Sequence, residues 1–292
     1  MSHVVRYRSG NGPVRVGVLA DAQVRPVAGV ESLGALLALP LEQAKHQVEG
    51  AAGAAPVALS DVRLLPPVDG LTEVWASGVT YERSMDARVE ESQVQDVYSR
   101  VYAAERPELF FKSVPWRVVT DGDPIAVRHD CAVTVPEPEL AVVVTSGAEV
   151  FGYTVCDDVS SRDIEGENPL YLPQAKVYAG SCALATGIRP AWEVADPMAL
   201  GISVTVTRGG ATVFEGTTST ARMHRKLPDL VTYLVAAQDF PEGAVLATGT
   251  GIVPELDFTL ADGDLVAITV DQVGSLSNPV VTIDVARQFA QP

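Results

Sequence analysis

From Leu71 onward the chain breaks into short runs rich in β-branched and apolar residues, most of them bounded by turn residues. That rhythm limits the available folds more than any other feature of the sequence. The runs are EVWASGVTY, ELAVVVTS, EVFGYTV, ISVTVTR, ATVFEG, AVLATGT, LVAITV and VVTIDV. Gly209-Gly210, between ISVTVTR and ATVFEG, is a hairpin signal, because the tight turn between twisted strands favours φ > 0 at its centre. Asp262-Gly263-Asp264 predicts another turn before LVAITV. Helical patterning is sparser. Residues 81–106 are long, polar and charge-patterned and are stopped by Pro107, and residues 226–238 place Leu230, Leu234 and Val235 near helical spacing. Strands outnumber helices without regular strand–helix alternation, which excludes a doubly wound nucleotide fold. The prediction is α+β, mainly β and mainly antiparallel, with peripheral helices.

Residues 1–67 read as a small N-terminal α/β domain, with residues 68–292 as the main domain. VRVGVLA at 14–20 and the segment from Asp61 suit strands, residues 41–52 after Pro40 suit a helix, and Pro66-Pro67 suits a linker. The chain of 292 residues is 47% hydrophobic and 20% charged, enough for a sizeable core and against disorder throughout. Its formal charge of −16 repels phosphate backbones and argues against nucleic acid and anionic membranes as partners. Cys131, Cys156 and Cys182 lack CxxC spacing, which disfavours a disulfide framework and a thiolate zinc site. The four histidines, His3, His46, His129 and His224, are not paired at ligand spacing. No apolar run reaches the ~18–20 residues of a membrane span, and the N-terminus lacks a signal-peptide pattern. A cytoplasmic protein is expected.

The sharpest local feature is VPEPELAVVV. Glu137 and Glu139 stand two apart at the head of an apolar strand, so their side chains share one face. Two carboxylates that close call for a shared proton or a cation. Residues 139–144, a turn at Ser146-Gly147 and the run FGYTV form a plausible hairpin, which returns Asp158 to the glutamate end. Three converging oxygen donors without Cys or His suit a hard cation, Mg²⁺ or Mn²⁺. Taken alone, the pair also reads as two solvated glutamates at a strand end, and the DDVSSRD run as a helix start capped by Asp158 or Ser160 with Asp163 in the first turn.

EPELAVVV, GYTVCDDVSSRDIE, ENPLYLPQAKVY and TGTGIVP, in this order and spacing, resemble the fumarylacetoacetate hydrolase family over about residues 70–290. The resemblance implies a mixed β-sandwich roll, a homodimer or dimer-based tetramer, and Mg²⁺ or Ca²⁺ held by the E-x-E pair and an aspartate, here Glu137, Glu139 and Asp158. Asp157 stands where the family usually has asparagine.

The hydrolases of the family carry N-Y-x-x-H-x-x-E, whose His-Glu pair activates water. The matching stretch here begins Thr80-Tyr81 and puts Ser84 at the histidine position and Ala87 at the glutamate position. Serine in its ordinary protonation state is no base near neutral pH, which argues against C–C hydrolysis. The fuller pattern WASGVTYERSMDARVEES with PELFFK is more similar to the 2-keto-3-deoxy-pentonate (arabinonate/xylonate) dehydratases. That resemblance implies a small 2-keto acid substrate, Mg²⁺-stabilised enolate formation, loss of the C4 hydroxyl as water and rearrangement to a 2,5-dioxo acid.

Lys176 and Glu108 are the candidate proton-transfer groups. Lys176 also suits a developing oxyanion, and Phe110-Phe111 beside Glu108 favours a proton-carrying carboxyl if that side chain is buried. Arg162 is a candidate carboxylate clamp by its fork geometry, with pairing to Asp163 or Glu165 as the alternative. Thr250 in TGTG, Lys112 and Ser84 complete the candidate substrate contacts. Trp75, Trp116 and Trp192 read as core or interface, Cys156 and Cys182 as inert, and residues 81–106 as a solvated helix face or a lid hinged at Gly78. Two other readings compete: a hydrolase, decarboxylase or tautomerase of another 2-keto acid (acylpyruvate type) on the same fold, and a non-catalytic domain that binds a metal or small acid.

Overall fold

The computed structural model describes residues 1–91, 95–255 and 257–283. Its central feature is a hairpin of strands Pro138–Val144 and Val150–Asp158, in register with Glu139 opposite Cys156 and Pro138 opposite Asp157. All seven residues of Pro138–Val144 are buried. Both faces of this strand are covered, which is why the sequence reads as a continuous apolar run instead of alternating. Leu140, Val142 and Val144 face the larger core, where Ile202, Val204, Val206, Val266, Ile268 and Val270 come from a second sheet. Ala141 and Val143, on the face that also carries Glu139, pack on Leu33, Leu36, Leu37, Ala44 and Val48 from helices Leu33–Leu37 and Leu41–Gly50.

The second sheet has five strands. Gly201–Arg208, Ala211–Ser219, Leu265–Val270 and Gly274–Ile283 run antiparallel, and Ile125–Arg128 joins parallel to Gly274–Ile283. One face is buried and the other is wet, so Gly201–Arg208 and Leu265–Val270 alternate buried with more exposed positions. The first hairpin of this sheet closes at Gly209-Gly210 with φ of 57° and 84°, as the Gly-Gly signal predicts. Helix Leu227–Val235 buries Leu227, Leu230, Val231 and Leu234 on the larger core.

The large sheet carries the N-terminal residues at one end. Strand His3–Ser9 pairs with Gly187–Pro190 as well as with Val14–Ala20 and Val62–Leu65. At the other end Ala244–Ala247 pairs parallel with Glu73–Ala76, which pairs antiparallel with Phe110–Ser113. The polar segment 81–106 forms two helices, Glu82–Glu91 and Gln95–Ala103; its residues 92–94 lie outside the described residues. Trp75 packs edge-on against Phe111 and Phe240, and Trp192 against Phe151, whereas Trp116 is 78% exposed. Cys156 and Cys182 are buried and unbridged. No helix among the described residues is long and apolar enough to cross a membrane.

Candidate active site

The hairpin brings three carboxylates together. Glu137 lies just before strand Pro138–Val144 and Glu139 is its second residue, while Asp158 ends the next strand, its N–H donating to the Glu137 carbonyl at 3.0 Å. Ligand atoms of Glu137, Glu139 and Asp158 lie within 4.8 Å of one another, and all three residues are buried. The second aspartate of the pair is therefore the one that faces the glutamates. Asp157 points elsewhere, and its Oδ1 accepts the Glu137 N–H at 2.9 Å. Burial pushes the Asp157 carboxyl up to about 7, which favours its neutral form more than in an exposed aspartate. Ser161, not Asp158 or Ser160, occupies the N-cap position of helix Arg162–Glu167 and makes no side-chain capping bond there. Asp163, in the first turn, accepts the Ala132 N–H.

Three basic side chains pair with Glu137 and Asp158. Lys176 Nζ donates to Glu137 Oε2 (2.8 Å), Asp158 Oδ2 (3.1 Å) and Ser160 Oγ (2.5 Å). Lys112, fully buried, pairs with Asp158 Oδ1 and donates to the carbonyls of Lys176 (2.6 Å) and Val159 (3.2 Å). Arg162 Nη2 donates to Glu137 Oε1 at 3.1 Å. Glu139 accepts the Gly249 N–H at 2.7 Å. Burial, with the Asp158 and Glu137 charges beside it, pushes the Glu139 carboxyl well above the usual range. Gly249 sits at φ 90° in the TGTG turn, a conformation that suits glycine, and this aims its N–H at the glutamate. An all-oxygen, buried and mutually repelling donor set fits a hard divalent cation.

The cleft over these carboxylates is lined by Ser84, Glu108, Lys176 and Thr250, as well as by Glu137, Glu139 and Asp158. All nine residues singled out in the sequence thus gather in one region. Lys112 and Arg162 are not among the lining residues; each is buried and ion-paired with a carboxylate of the trio, Lys112 with Asp158 and Arg162 with Glu137. Thr250 Oγ1 accepts the Ile252 N–H at 3.1 Å and closes the TGTG turn. The structure adds Ser77, Gly78, Val79, Phe110, Glu165 and Gly249 to the lining. Glu165 had a signal: it lies one helical turn from Arg162 and is buried with it. The Gly249 N–H is a main-chain group and had none beyond the glycines of TGTG. Among the described lining residues there is no histidine.

Residues 73–281 match the family model described as fumarylacetoacetate (FAA) hydrolase C-terminal. A probable 2-keto-3-deoxyxylonate dehydratase of Haloferax volcanii is 44% identical over 264 residues, 90% of this chain and 91% of that protein. A 2-dehydro-3-deoxy-D-arabinonate dehydratase of Saccharolobus solfataricus is 45% identical over 226 residues, 76% of each chain. Among solved structures, a 2-keto-3-deoxy-D-arabinonate dehydratase complexed with magnesium and 2,5-dioxopentanoate superposes with a TM-score of 0.83 at 35% identity, covering 97% of this chain and 99% of that one.

Proposed function

This chain belongs to the fumarylacetoacetate hydrolase family, and from that premise we propose that it is a Mg²⁺-dependent hydro-lyase that removes water from a 2-keto-3-deoxypentonate to give a 2,5-dioxo acid. One observation carries the choice within the family. Ser84, at the position of the water-activating histidine, is buried against the carboxylate cleft, and Ala87, at the glutamate position, is buried and inert. The site has metal ligands and proton-transfer groups but no imidazole to make hydroxide.

Glu137, Glu139 and Asp158 would hold the cation. When bound, Mg²⁺ supplies Lewis acidity toward the 1-carboxylate and 2-keto oxygens of the substrate and so acidifies its C3–H bond. Glu108 takes the C3 proton from the cleft wall. Lys176 faces three acceptors and works as a donor, so it holds Glu137 and Asp158 in place and offers a proton to the departing C4 hydroxyl. Loss of H⁺ from C3 and of OH⁻ from C4 leaves a C3–C4 double bond and one water. A proton shift from C5 to C3 and ketonisation then give the C5 aldehyde. Ser84 and Thr250 contact the substrate, and Arg162 and Lys112 fix the carboxylates.

We read residues 1–67 as an N-terminal unit on this catalytic part, the active species as a dimer or dimer-based tetramer, and its compartment as the cytoplasm, in keeping with the unbridged cysteines. The deciding experiment incubates the protein and Mg²⁺ with a panel of 2-keto-3-deoxy acids and acylpyruvates and weighs the products. Loss of 18 mass units from a 2-keto-3-deoxypentonate is the expected result. Rapid acylpyruvate cleavage with every 2-keto-3-deoxy acid untouched would overturn it.

A further inference from the structure

Residues 223–225, which connect the second sheet to helix Leu227–Val235, touch both ends of the helical segment beside the cleft. At the front end Met223 and Tyr81 form an isolated antiparallel bridge, and the His224 N–H donates to the Thr80 carbonyl at 2.9 Å. That end is strained: Val79, a β-branched residue, sits at φ 52°. At the rear end Arg225 Nη2 donates to the Val101 carbonyl at 2.8 Å and the Tyr102 carbonyl at 3.4 Å, and its Nη1 donates to the Glu105 carbonyl at 3.1 Å. The His224 ring stacks on Tyr102, with centroids 4.4 Å apart and planes 27° apart.

The last carbonyls of a helix have no partner within it, and together they form its negative end. Val101 and Tyr102 supply such carbonyls for helix Gln95–Ala103. Arg225 caps them from a distant part of the chain, using a fork that a lysine cannot reproduce. Ser84 lies just inside the front end and Glu108 just beyond the rear end, and both line the cleft. We propose that Arg225 is a positioning residue for the reaction: it ties the rear helix to the strap whose neighbouring residues hold the front end, and so sets how the helical segment stands over the carboxylates. It touches no reacting atom and acts through main-chain carbonyls. Only the kinetic consequence rests on the dehydratase reading.

A loosened tie lowers the fraction of molecules in the competent arrangement, and substrate must then select that fraction. The apparent affinity falls by that factor, while the saturated enzyme turns over as before. The test compares wild type, Arg225→Met and Arg225→Lys, each loaded with Mg²⁺. Amide hydrogen exchange is read without substrate, and steady-state kinetics are read with 2-keto-3-deoxyarabinonate. Arg225→Met is expected to speed exchange in helix Gln95–Ala103 and raise KM, each roughly tenfold, with kcat held within about twofold. Exchange in strand Pro138–Val144 stays at the wild-type rate, and Arg225→Lys falls between. Wild-type exchange in the helix of Arg225→Met overturns the proposal whatever the kinetics show. If Arg225→Met also loses protection in Pro138–Val144, it has damaged the fold and Arg225→Lys decides: partial loss confined to the helix supports the tie, and none refutes it. Should wild type dehydrate no 2-keto-3-deoxy acid, the functional reading fails and the exchange result still judges Arg225.

Discussion

The carboxylate of Glu108 fills the space that a β-carbon on Gly78 would take: an added Cβ would lie 2.2 Å from its Oε2 and 2.8 Å from its Cδ. Strand pairing sets up the contact. Ala76 lies opposite Phe110, so the residues just outside that pair meet across the mouth of the cleft. Ser77 Oγ donates to the Glu108 carbonyl at 2.9 Å and fixes the backbone on that side. Gly78 is thus a notch that seats the proposed base.

Gly78→Ala should therefore push the Glu108 carboxylate aside without touching the metal ligands. Turnover is expected to fall about 10²-fold, the scale of a misplacement near 1 Å, with Mg²⁺ affinity unchanged by calorimetry. Full turnover in this variant would mean that the Gly78 notch does not set the position of Glu108.

Glu139→Gln removes one charge from the buried trio while its amide oxygen can still accept the Gly249 N–H. Burial and neighbouring carboxylates disfavour the ionised glutamate in the metal-free protein. The variant should thus melt higher than wild type without metal and gain less from added Mg²⁺, with affinity down at least roughly tenfold. Melting curves with and without Mg²⁺ test both signs; unchanged affinity would exclude Glu139 as a ligand.

The hairpin that builds the trio was legible because its signals are local: i, i+2 geometry, an apolar run and a turn at Ser146-Gly147. The Gly209-Gly210 hairpin was legible for the same reason. The junction of His3–Ser9 with Gly187–Pro190 was not, since two strands so far apart in the chain carry no mutual mark in composition or period. Lys112 and Arg162 were found as residues, but their direction was not. Side chains that face a carboxylate and those that face a substrate have the same sequence appearance, and it is the strand register at Lys112 and the helix start at Arg162 that turn them inward. One polar stretch at 81–106 read as a single unit, because its two helices, Glu82–Glu91 and Gln95–Ala103, share one polar, charge-patterned character.

Lys176→Met keeps the stem volume and removes the ammonium that bridges Glu137, Asp158 and Ser160. Without metal, two buried carboxylates lose a partner, which costs about 3–5 kcal/mol. A divalent cation can replace that charge, so the variant should unfold more readily than wild type when metal-free and recover most of the difference in Mg²⁺. Dehydration is expected to be lost even when metal is bound. Retained turnover in the Mg²⁺-loaded variant would leave Lys176 with a structural role alone.

His3 is expected to give the stability of the fold a pH dependence remote from the carboxylate cleft. It opens the strand that joins the N-terminal residues to the large sheet, and its Nε2 lies 2.6 Å from the Val273 carbonyl. Burial holds its imidazole below the usual value of 6.5, against the opposing effect of that hydrogen bond. The unfolded chain therefore binds a proton at His3 that the folded chain resists. Unfolding takes up protons in the window below about 6.5, so stability is full above that pH and falls as pH drops through it, levelling once the folded-state pKa is passed. His3→Gln keeps a donor for Val273 and cannot titrate. Urea unfolding of metal-free protein at several pH values from 7 down to about 5 should show a shallower loss in the variant than in wild type, by up to one proton. Equal slopes would mean that His3 titrates alike in both states and that its burial carries no linkage.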